Sequence, residues 1–258
     1  MNCVFEYTLK KIMIFKEIKE TNSLVSVITV CKNADQTLQY TIDSVKSQNY
    51  LNLEYIVIDG LSQDNTVKII KKNENFIKFW ISEADLGLYD AMNKALTMCG
   101  GEWVIFMNSG DGFSENNILT KAMKSMSDAD IIYSDTYLTN KGIPFKIQTA
   151  NYEKGIFNHQ SLIYRKSLHK IYGNYIVNRY ITISDYIFFR DLKDIRVVKL
   201  DSPISYYEIG GLSSRSKSIY QKFFYDYLSG KLSYLSLINF LILYPAYRAI
   251  KNIIYDRR

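Results

Sequence analysis

The first half of the chain alternates short apolar runs with segments of helical periodicity. The apolar runs, rich in β-branched and aromatic residues, occupy residues 24–31, 55–58, 79–82 and 103–107. A stretch with helical spacing follows each run, and such runs suit strands that helices cover on both faces. Because strands that alternate with helices form parallel sheets with right-handed crossovers, the sequence predicts an α/β fold with a Rossmann-like, mostly parallel sheet flanked by helices.

The second half of the chain follows different patterns. Residues 157–165 and 196–200 predict strands on either side of a helix at 183–192, and we expect this α+β continuation to close one side of a cleft. Two helical segments with apolar and aromatic faces come last. The predicted divisions are an N-terminal leader at 1–23, a main domain at 24–216 and a C-terminal amphipathic helical extension at 217–258.

The composition limits the surroundings and partners of the chain. With 258 residues, 47% of them hydrophobic, it can bury the core of one large domain. A net charge of +6 favours anionic partners, and 22 Tyr suit carbohydrate contact or a membrane interface. The three Cys lack paired spacing and residues 1–23 lack the apolar core of a signal peptide, so we expect a reduced, cytoplasmic protein.

The apolar run at residues 232–244 is shorter than the ~20 residues that a membrane-spanning helix needs. We expect Pro245 to interrupt it. The basic residues that follow are Arg248, Lys251, Arg257 and Arg258. Apolar helical faces with flanking basic residues are typical of a helix that lies in the membrane interface, and the alternative is a helix packed on its own domain or on a second subunit.

One carboxylate, Asp111, follows the apolar run at 103–107 through the turn residues 108–110. Ligands of open α/β sheets bind beyond the carboxyl ends of the strands, which places Asp111 where a metal or a phosphate would bind. The alternative is an Asp that only caps the helix expected to begin near Ser114.

Other carboxylates also stand at or just after predicted strands. They are Asp59, Asp64, Glu83, Asp85 and, later, Asp185. For each of them alone a solvated surface position is the alternative, but carboxylates that converge on one cleft repel each other unless a cation or hydrogen-bond donors compensate them. Mg²⁺ or Mn²⁺ on a diphosphate provides such compensation and often takes only one or two protein carboxylates. The sequence therefore predicts a divalent metal cofactor, Mn²⁺ or Mg²⁺.

Four segments, in this order, resemble the glycosyltransferases of family 2, which have the GT-A fold. They are LVSVITVCKN at residues 24–33, DGLSQDNT at 59–66, SEADLGLYDAMNKAL at 82–96 and MNSGDGF at 107–113. The third segment is similar to the capsule and O-antigen branch, and the resemblance covers about residues 24–215. It implies a nucleotide-sugar donor, commonly UDP-linked, inversion at the anomeric carbon and an acceptor in a surface glycan.

The resemblance also implies roles for residues on the donor side. Asp59 would meet the uracil or the ribose, and the backbone near Thr29 and Asn33 would frame the base. Asp111 would hold the metal on the diphosphate, and Ser109 stands where the family has the first Asp of its Asp-x-Asp motif. One metal carboxylate is therefore missing.

Two more donor contacts are weighed against structural roles. Asp85 would touch the donor sugar, or it would favour the N-terminus of the helix that follows it. Residues 206–214 resemble the family's mobile loop near the donor phosphates, from which Arg215 would reach a diphosphate oxygen. The alternative is an ordinary surface loop.

The family's catalytic base is an acidic residue at the start of a late helix, and Asp185 in ISDYIF fits that pattern. It would take the proton from the acceptor hydroxyl. The alternative is that Asp185 caps its helix. His159 and Gln160 resemble a segment that lines the acceptor side, with a hydrogen-bonded structural role as the alternative.

The sequence thus predicts an inverting glycosyltransferase that moves a sugar from a nucleotide-sugar donor to a hydroxyl of a lipid-linked glycan acceptor. We expect it at the cytoplasmic face of the inner membrane, without a nucleic-acid partner. A sugar nucleotidyltransferase is disfavoured because residues 31–33 lack a Gly-rich, basic loop. A catalytically idle, membrane-associated binding protein of the same fold is the other alternative.

Overall fold

The computed structural model describes residues 23–125, 128–210 and 216–255. All of the predicted leader except Ser23 therefore lies outside the described residues. Within them the strands are β1 (Val25–Cys31), β2 (Leu53–Asp59), β3 (Phe79–Ser82), β4 (Trp103–Phe106), β5 (Gly112–Phe113), β6 (Ile131–Asn140), β7 (Ile143–Gln148), β8 (Leu162–Arg165) and β9 (Val197–Glu208).

The helices of the same residues are α1 (Leu38–Lys46), α2 (Thr66–Lys72), α3 (Leu88–Met98), α4 (Ile118–Lys124), α5 (Leu168–Tyr172), α6 (Ser184–Asp191), α7 (Ser216–Leu228) and α8 (Tyr234–Tyr255). A short 3₁₀ helix, His159–Ser161, directly precedes β8.

The strands form one mixed sheet in the order β3-β2-β1-β4-β8-β6-β9-β5, with β7 paired to β6. Strands β1 to β4 pair in parallel, which confirms the predicted α/β class. The parallel run ends at β4, because β8 pairs with it antiparallel, with Val104 opposite Tyr164. Strand β8 therefore begins at the carboxyl edge of the sheet, and the 3₁₀ helix before it lies beside the end of β4.

Both faces of the sheet are covered, as the apolar runs predict. Along β1, Val27 packs into one hydrophobic core with Ile105, whereas Ile28 packs into a second core with Phe106. Alternate residues of a strand point to opposite faces, so a strand that contributes to two cores has to be apolar throughout. Polar side chains that could form a site are therefore expected beyond the ends of these strands, at the edge of the sheet.

The first C-terminal helix, α7, docks on α6. Tyr186 of α6 donates a hydrogen bond to Asp226 (2.7 Å), Arg190 pairs with the same carboxylate (3.3 Å), and the Thr182 hydroxyl bonds Ser218 (2.8 Å). These contacts cross the boundary predicted at residues 216 and 217. Helix α7 therefore belongs structurally to the neighbourhood of α6.

The last helix, α8, packs on α7 through stacked rings, with the centroids of Phe223 and Phe240 3.6 Å apart. Pro245 lies inside α8, so the interruption expected there is wrong. Several apolar residues of α8 are largely exposed, namely Leu235 (72%), Ile242 (65%) and Leu243 (64%). None of the helices in the described ranges is long and apolar enough to span a bilayer.

Candidate active site

A cleft of about 430 Å³ opens at the carboxyl ends of β1 and β4. We call one side of it the strand wall, formed by residues 30–34, Thr37 and residues 108–111. The other side is the helix wall, formed by residues 157–160, Thr182, Asp185 and Lys222. Each wall contributes one carboxylate: Asp111 of the strand wall is buried, whereas the Asp185 side chain of the helix wall is 19% exposed.

Asp111 is fixed by the turn that follows β4. The Thr41 hydroxyl of α1 accepts a hydrogen bond from Gly110 N and donates one to the Asp111 carbonyl (2.8 Å), and Gly110 adopts a φ of +97° that suits glycine. The Asp111 carboxylate is 4% exposed and accepts hydrogen bonds from Gln160 Nε2 (2.9 Å) and Glu208 N (2.9 Å). Burial raises the pKa of Asp111 to about 7, because these neutral donors offset only part of the lost hydration.

Asp185 lies in the first turn of α6 and has charged and polar partners. It accepts hydrogen bonds from the Tyr89 hydroxyl (2.6 Å) and from His159 Nδ1 (2.9 Å). Burial on its own raises the pKa of Asp185, but the His159 contact, the positive charge of Lys222 and the Tyr89 bond outweigh it. The pKa of Asp185 therefore lies well below its usual range, and the group stays ionised at neutral pH.

The 3₁₀ helix connects the two walls. His159 bonds Asp185, whereas the next residue, Gln160, bonds Asp111. The sequence assigned both residues to the acceptor side; in the structure His159 contacts the predicted base, whereas the Gln160 amide contacts the predicted metal ligand. Successive residues of one helical turn thus fix the relative positions of both carboxylates.

Two predicted donor-site residues do not reach the cleft. Thr29 is fully buried, and its hydroxyl donates to the Met107 carbonyl (2.6 Å). Asp59 is also fully buried, and its Oδ2 accepts hydrogen bonds from Ser82 Oγ (2.6 Å) and Ser62 N (3.0 Å). Neither side chain is open to a ligand, which corrects the expectation that Asp59 contacts the base directly.

Asp59 instead stabilises the loop that follows β2, and this loop contacts the cleft residue Asn33. Ser62, which Asp59 holds, accepts a hydrogen bond from Asn33 N (2.7 Å), and Asn33 Oδ1 accepts one from Gln63 N (2.9 Å). Asn33 has a φ of +50° and lines the cleft, as predicted. The loop after β2 therefore fixes the strand wall at Asn33 through backbone and hydroxyl contacts.

The other predicted residues divide between the cleft and its surroundings. Ser109 lines the cleft, with its hydroxyl 2.8 Å from that of Thr37. Asp85 does not line it and accepts a hydrogen bond from Gly87 N (2.9 Å) before α3. Arg215 lies outside the described residues.

Two more of the strand-end carboxylates stabilise local structure. Asp64 accepts a hydrogen bond from Thr66 N (2.9 Å) at the start of α2, and Glu83 pairs with Lys94 (2.8 Å). Lys94 also pairs with Asp90, four residues before it on α3 (3.3 Å). Of the carboxylates predicted at strand ends, Asp111 and Asp185 are therefore the two that line the cleft.

Among the cleft residues that were not identified from the sequence, three have polar or charged groups at the site. Tyr89 sits in the apolar periodicity of α3, Glu208 ends β9, and Lys222 lies on a helix assigned to the C-terminal extension. Glu208 is occupied by the turn between β6 and β7, where it accepts hydrogen bonds from Thr139 (2.8 Å) and Gly142 N (3.0 Å). No sequence signal distinguishes Lys222 from the other lysines of the chain.

The strand wall offers oxygen ligands suited to a hard divalent cation. Within the described residues no three His, Cys, Asp or Glu side chains cluster as a metal site. Asn108 Oδ1, however, is buried without a hydrogen-bond partner in the same turn as Asp111, and the Ser109 hydroxyl also faces the cleft. One carboxylate with neutral oxygens fits Mg²⁺ or Mn²⁺ when phosphate oxygens and water complete the shell.

Known proteins with similar sequences are glycosyltransferases. The chain is 39% identical over 104 residues to an uncharacterized glycosyltransferase of Mycobacterium tuberculosis, an alignment that spans 40% of each chain. It is 26% identical over 205 residues to a PGL/p-HBAD biosynthesis glycosyltransferase of Mycobacterium bovis, covering 74% of this chain and 79% of that one. It is 31% identical over 119 residues to the Escherichia coli UDP-Glc:alpha-D-GlcNAc-diphosphoundecaprenol beta-1,3-glucosyltransferase WfgD, covering 45% and 47%.

Solved structures share the fold at low sequence identity. Staphylococcus aureus TarS in complex with UDP matches with a TM-score of 0.64 and 19% identity, over 78% of this chain and 64% of that one. The mannosyltransferase PcManGT of Pyrobaculum calidifontis, in complex with GDP-Man and Mn²⁺, matches with a TM-score of 0.63 and 16% identity, over 78% and 63%. The model of glycosyl transferase family 2 matches residues 26–185, from β1 to Asp185, and the chain belongs to that family.

Proposed function

We propose that this protein is an inverting glycosyltransferase that moves a sugar from a UDP-linked donor to a hydroxyl of a lipid-linked surface-glycan acceptor. The observation that carries the proposal is the pair of carboxylates in one cleft, which successive residues of one 3₁₀ helix contact and whose pKa values are shifted in opposite directions. Titratable groups whose pKa values the environment shifts apart are the usual sign of separate chemical roles.

The strand wall is the proposed donor side. Buried Asp111 has only neutral hydrogen-bond donors, and a cation beside it would compensate its charge. Asp111, the Asn108 amide oxygen and the Ser109 hydroxyl would hold Mn²⁺ or Mg²⁺, which when bound neutralises charge on the leaving diphosphate. The relative and the structural neighbours whose names include UDP support a UDP-linked donor.

The helix wall is the proposed acceptor side. Asp185 is ionised and 19% of its side chain is exposed, so it can accept a proton from a hydroxyl in the cleft. His159 and Tyr89 hold both of its oxygens and fix its orientation. As the proton moves to Asp185, the hydroxyl oxygen attacks the anomeric carbon from the side opposite the diphosphate, and this displacement inverts the configuration.

The C-terminal helices are proposed to hold the protein on the cytoplasmic face of the inner membrane. Leu235, Ile242 and Leu243 expose apolar surface on α8, whose other face is occupied by α7. A helix with exposed apolar residues suits the membrane interface, where the acceptor of WfgD, named as a diphosphoundecaprenol-linked sugar, would also lie.

A transfer assay tests the proposal. Purified protein is incubated with UDP-, GDP- and dTDP-sugars and a lipid-linked sugar acceptor, with Mn²⁺ or with a chelator, and products are analysed for anomeric configuration. We expect UDP-dependent, Mn²⁺-stimulated transfer with inversion. Absence of turnover with every donor, together with tight binding to lipid vesicles, would instead support the idle binding protein.

A further inference from the structure

Lys222 is a cation of the helix wall that the proposed reaction has not used. It lies on α7, beyond the family match at residues 26–185, and lines the cleft beside Asp185. Its Nζ lies 4.9 Å from the centre of the Tyr186 ring, a cation–π distance. The residue is therefore held at the site by α6 and faces the cleft.

The ammonium group lacks a direct anionic partner among the described residues. The charges that act on it are those of Asp185 and Asp226, but Asp185 bonds His159 and Tyr89, and Asp226 pairs with Arg190 (3.3 Å). A half-buried ammonium that faces a cleft without an ion pair loses hydration, and burial lowers the pKa of Lys222. An anionic ligand group would compensate that loss.

The location of Lys222 separates it from the donor side. Asp111 lies in the strand wall, whereas Lys222 lies in the helix wall and interacts with the proposed base. Lys222 also lies on the helix that packs against α8 through Phe223 and Phe240. A cation beside the base, on the helix that packs against α8, suits the anionic link between a reacting sugar and a lipid.

We infer that Lys222 forms a binding site for the diphosphate of a lipid-linked sugar diphosphate, so that the sugar hydroxyl reaches Asp185 while the lipid extends toward α8. The inference rests on the proposed function, because it names the anionic group of that acceptor. Lys222 is thus a specificity-determining residue: it selects acceptors that carry a diphosphate near the reacting sugar.

A binding experiment tests this without requiring turnover. The full-length protein is first saturated with UDP and Mn²⁺ and is then titrated calorimetrically with geranyl diphosphate, with geraniol and with inorganic pyrophosphate. We expect geranyl diphosphate to bind most tightly, and Lys222→Met to weaken it on the order of tenfold, as for the loss of one charge-assisted contact. Lys222→Arg should retain most of the affinity, because it keeps the charge.

Lys217→Met is the matched control, since Lys217 is an exposed lysine of the same helix that stacks on Tyr180 outside the cleft. It should bind geranyl diphosphate like the wild type. Unchanged affinity in Lys222→Met, competition by UDP for the same site, or equal binding of inorganic pyrophosphate would each overturn the inference. Diphosphate binding through Lys222 in a protein without transfer activity would instead refute the proposed function alone.

Discussion

The two walls of the cleft each hold a carboxylate that is largely shielded from solvent, yet the partners of the two carboxylates differ. The hydrogen-bond donors to Asp111, Gln160 and Glu208 N, are neutral, and burial dominates and raises its pKa to about 7. His159, Tyr89 and Lys222 surround Asp185, and these groups outweigh burial and keep its pKa low. The difference teaches that residue type alone does not assign a role, because the same carboxyl group needs a cation in one wall and is already ionised in the other.

The largest expected effect follows from neutralising the helix-wall carboxylate. In Asp185→Asn the proposed base is lost while its hydrogen-bonding shape is kept, so sugar transfer should fall about 10³-fold, within the range for general acid–base catalysis. Binding of UDP, measured by calorimetry, should stay within about twofold because the other wall is the proposed donor side. Asp191→Asn at the end of the same helix serves as control, and a large loss of UDP affinity in Asp185→Asn would move Asp185 to the donor side.

The strand wall should respond to Asp111→Asn in a different way. Transfer should fall roughly 10²-fold, and the extra thermal stabilisation that Mn²⁺ adds to bound UDP should disappear, because the carboxylate that would hold the metal is gone. Thermal-shift curves with UDP alone and with UDP plus Mn²⁺ measure this. Ser109→Asp is the converse variant, since it supplies the missing first Asp and should lower the Mn²⁺ concentration needed. If both variants respond to Mn²⁺ like the wild type, Asp111 does not hold the metal.

The sequence predicted the half of the fold that rests on local patterns. The bounds of β3, Phe79–Ser82, agree with the predicted run because its apolar residues are followed by a polar loop. The hairpin strand β7 was missed although Ile143, Phe145 and Ile147 are apolar at alternate positions, because the run is short, contains Pro144 and is mostly exposed. Helix α4 begins at Ile118 and not near Ser114, because Ser114 N bonds the Ile204 carbonyl of β9 (2.9 Å).

The site residues could likewise be predicted where local sequence determines them, but not where contacts between distant segments do. Asp111 and Asp185 were identified because each follows a recognisable turn or begins a helix. The buried roles of Thr29 and Asp59 depend on Met107, Ser62 and Ser82, whose approach requires the folded sheet. The docking of α7 on α6 brings Lys222 to the cleft. The helical periodicity of the sequence does not predict which face of α7 borders a cleft.

A variant that removes one hydrogen-bond donor from Asp185 tests whether its partners cause the difference in pKa between the two carboxylates. His159→Phe keeps an aromatic ring against Phe106 but removes the Nδ1 donor to Asp185. Since that contact lowers the pKa of Asp185, its loss raises the pKa, and the acidic limb of the kcat profile should move to higher pH. Transfer at neutral pH should fall roughly tenfold. His159→Gln retains an amide donor and should recover part of the activity; an unshifted acidic limb in His159→Phe would contradict the assignment of Asp185 as base.

The smallest effect is expected from the other donor to Asp185. Tyr89→Phe removes the 2.6 Å hydrogen bond but keeps a ring that packs on Tyr175, so transfer should fall only about threefold. Because Tyr89 and His159 bond different oxygens of one carboxylate, the double variant should lose more activity than the product of the single losses. A double-mutant cycle of kcat measures this coupling. Strict multiplicativity would mean that the two side chains act on Asp185 independently, and it would contradict this coupling.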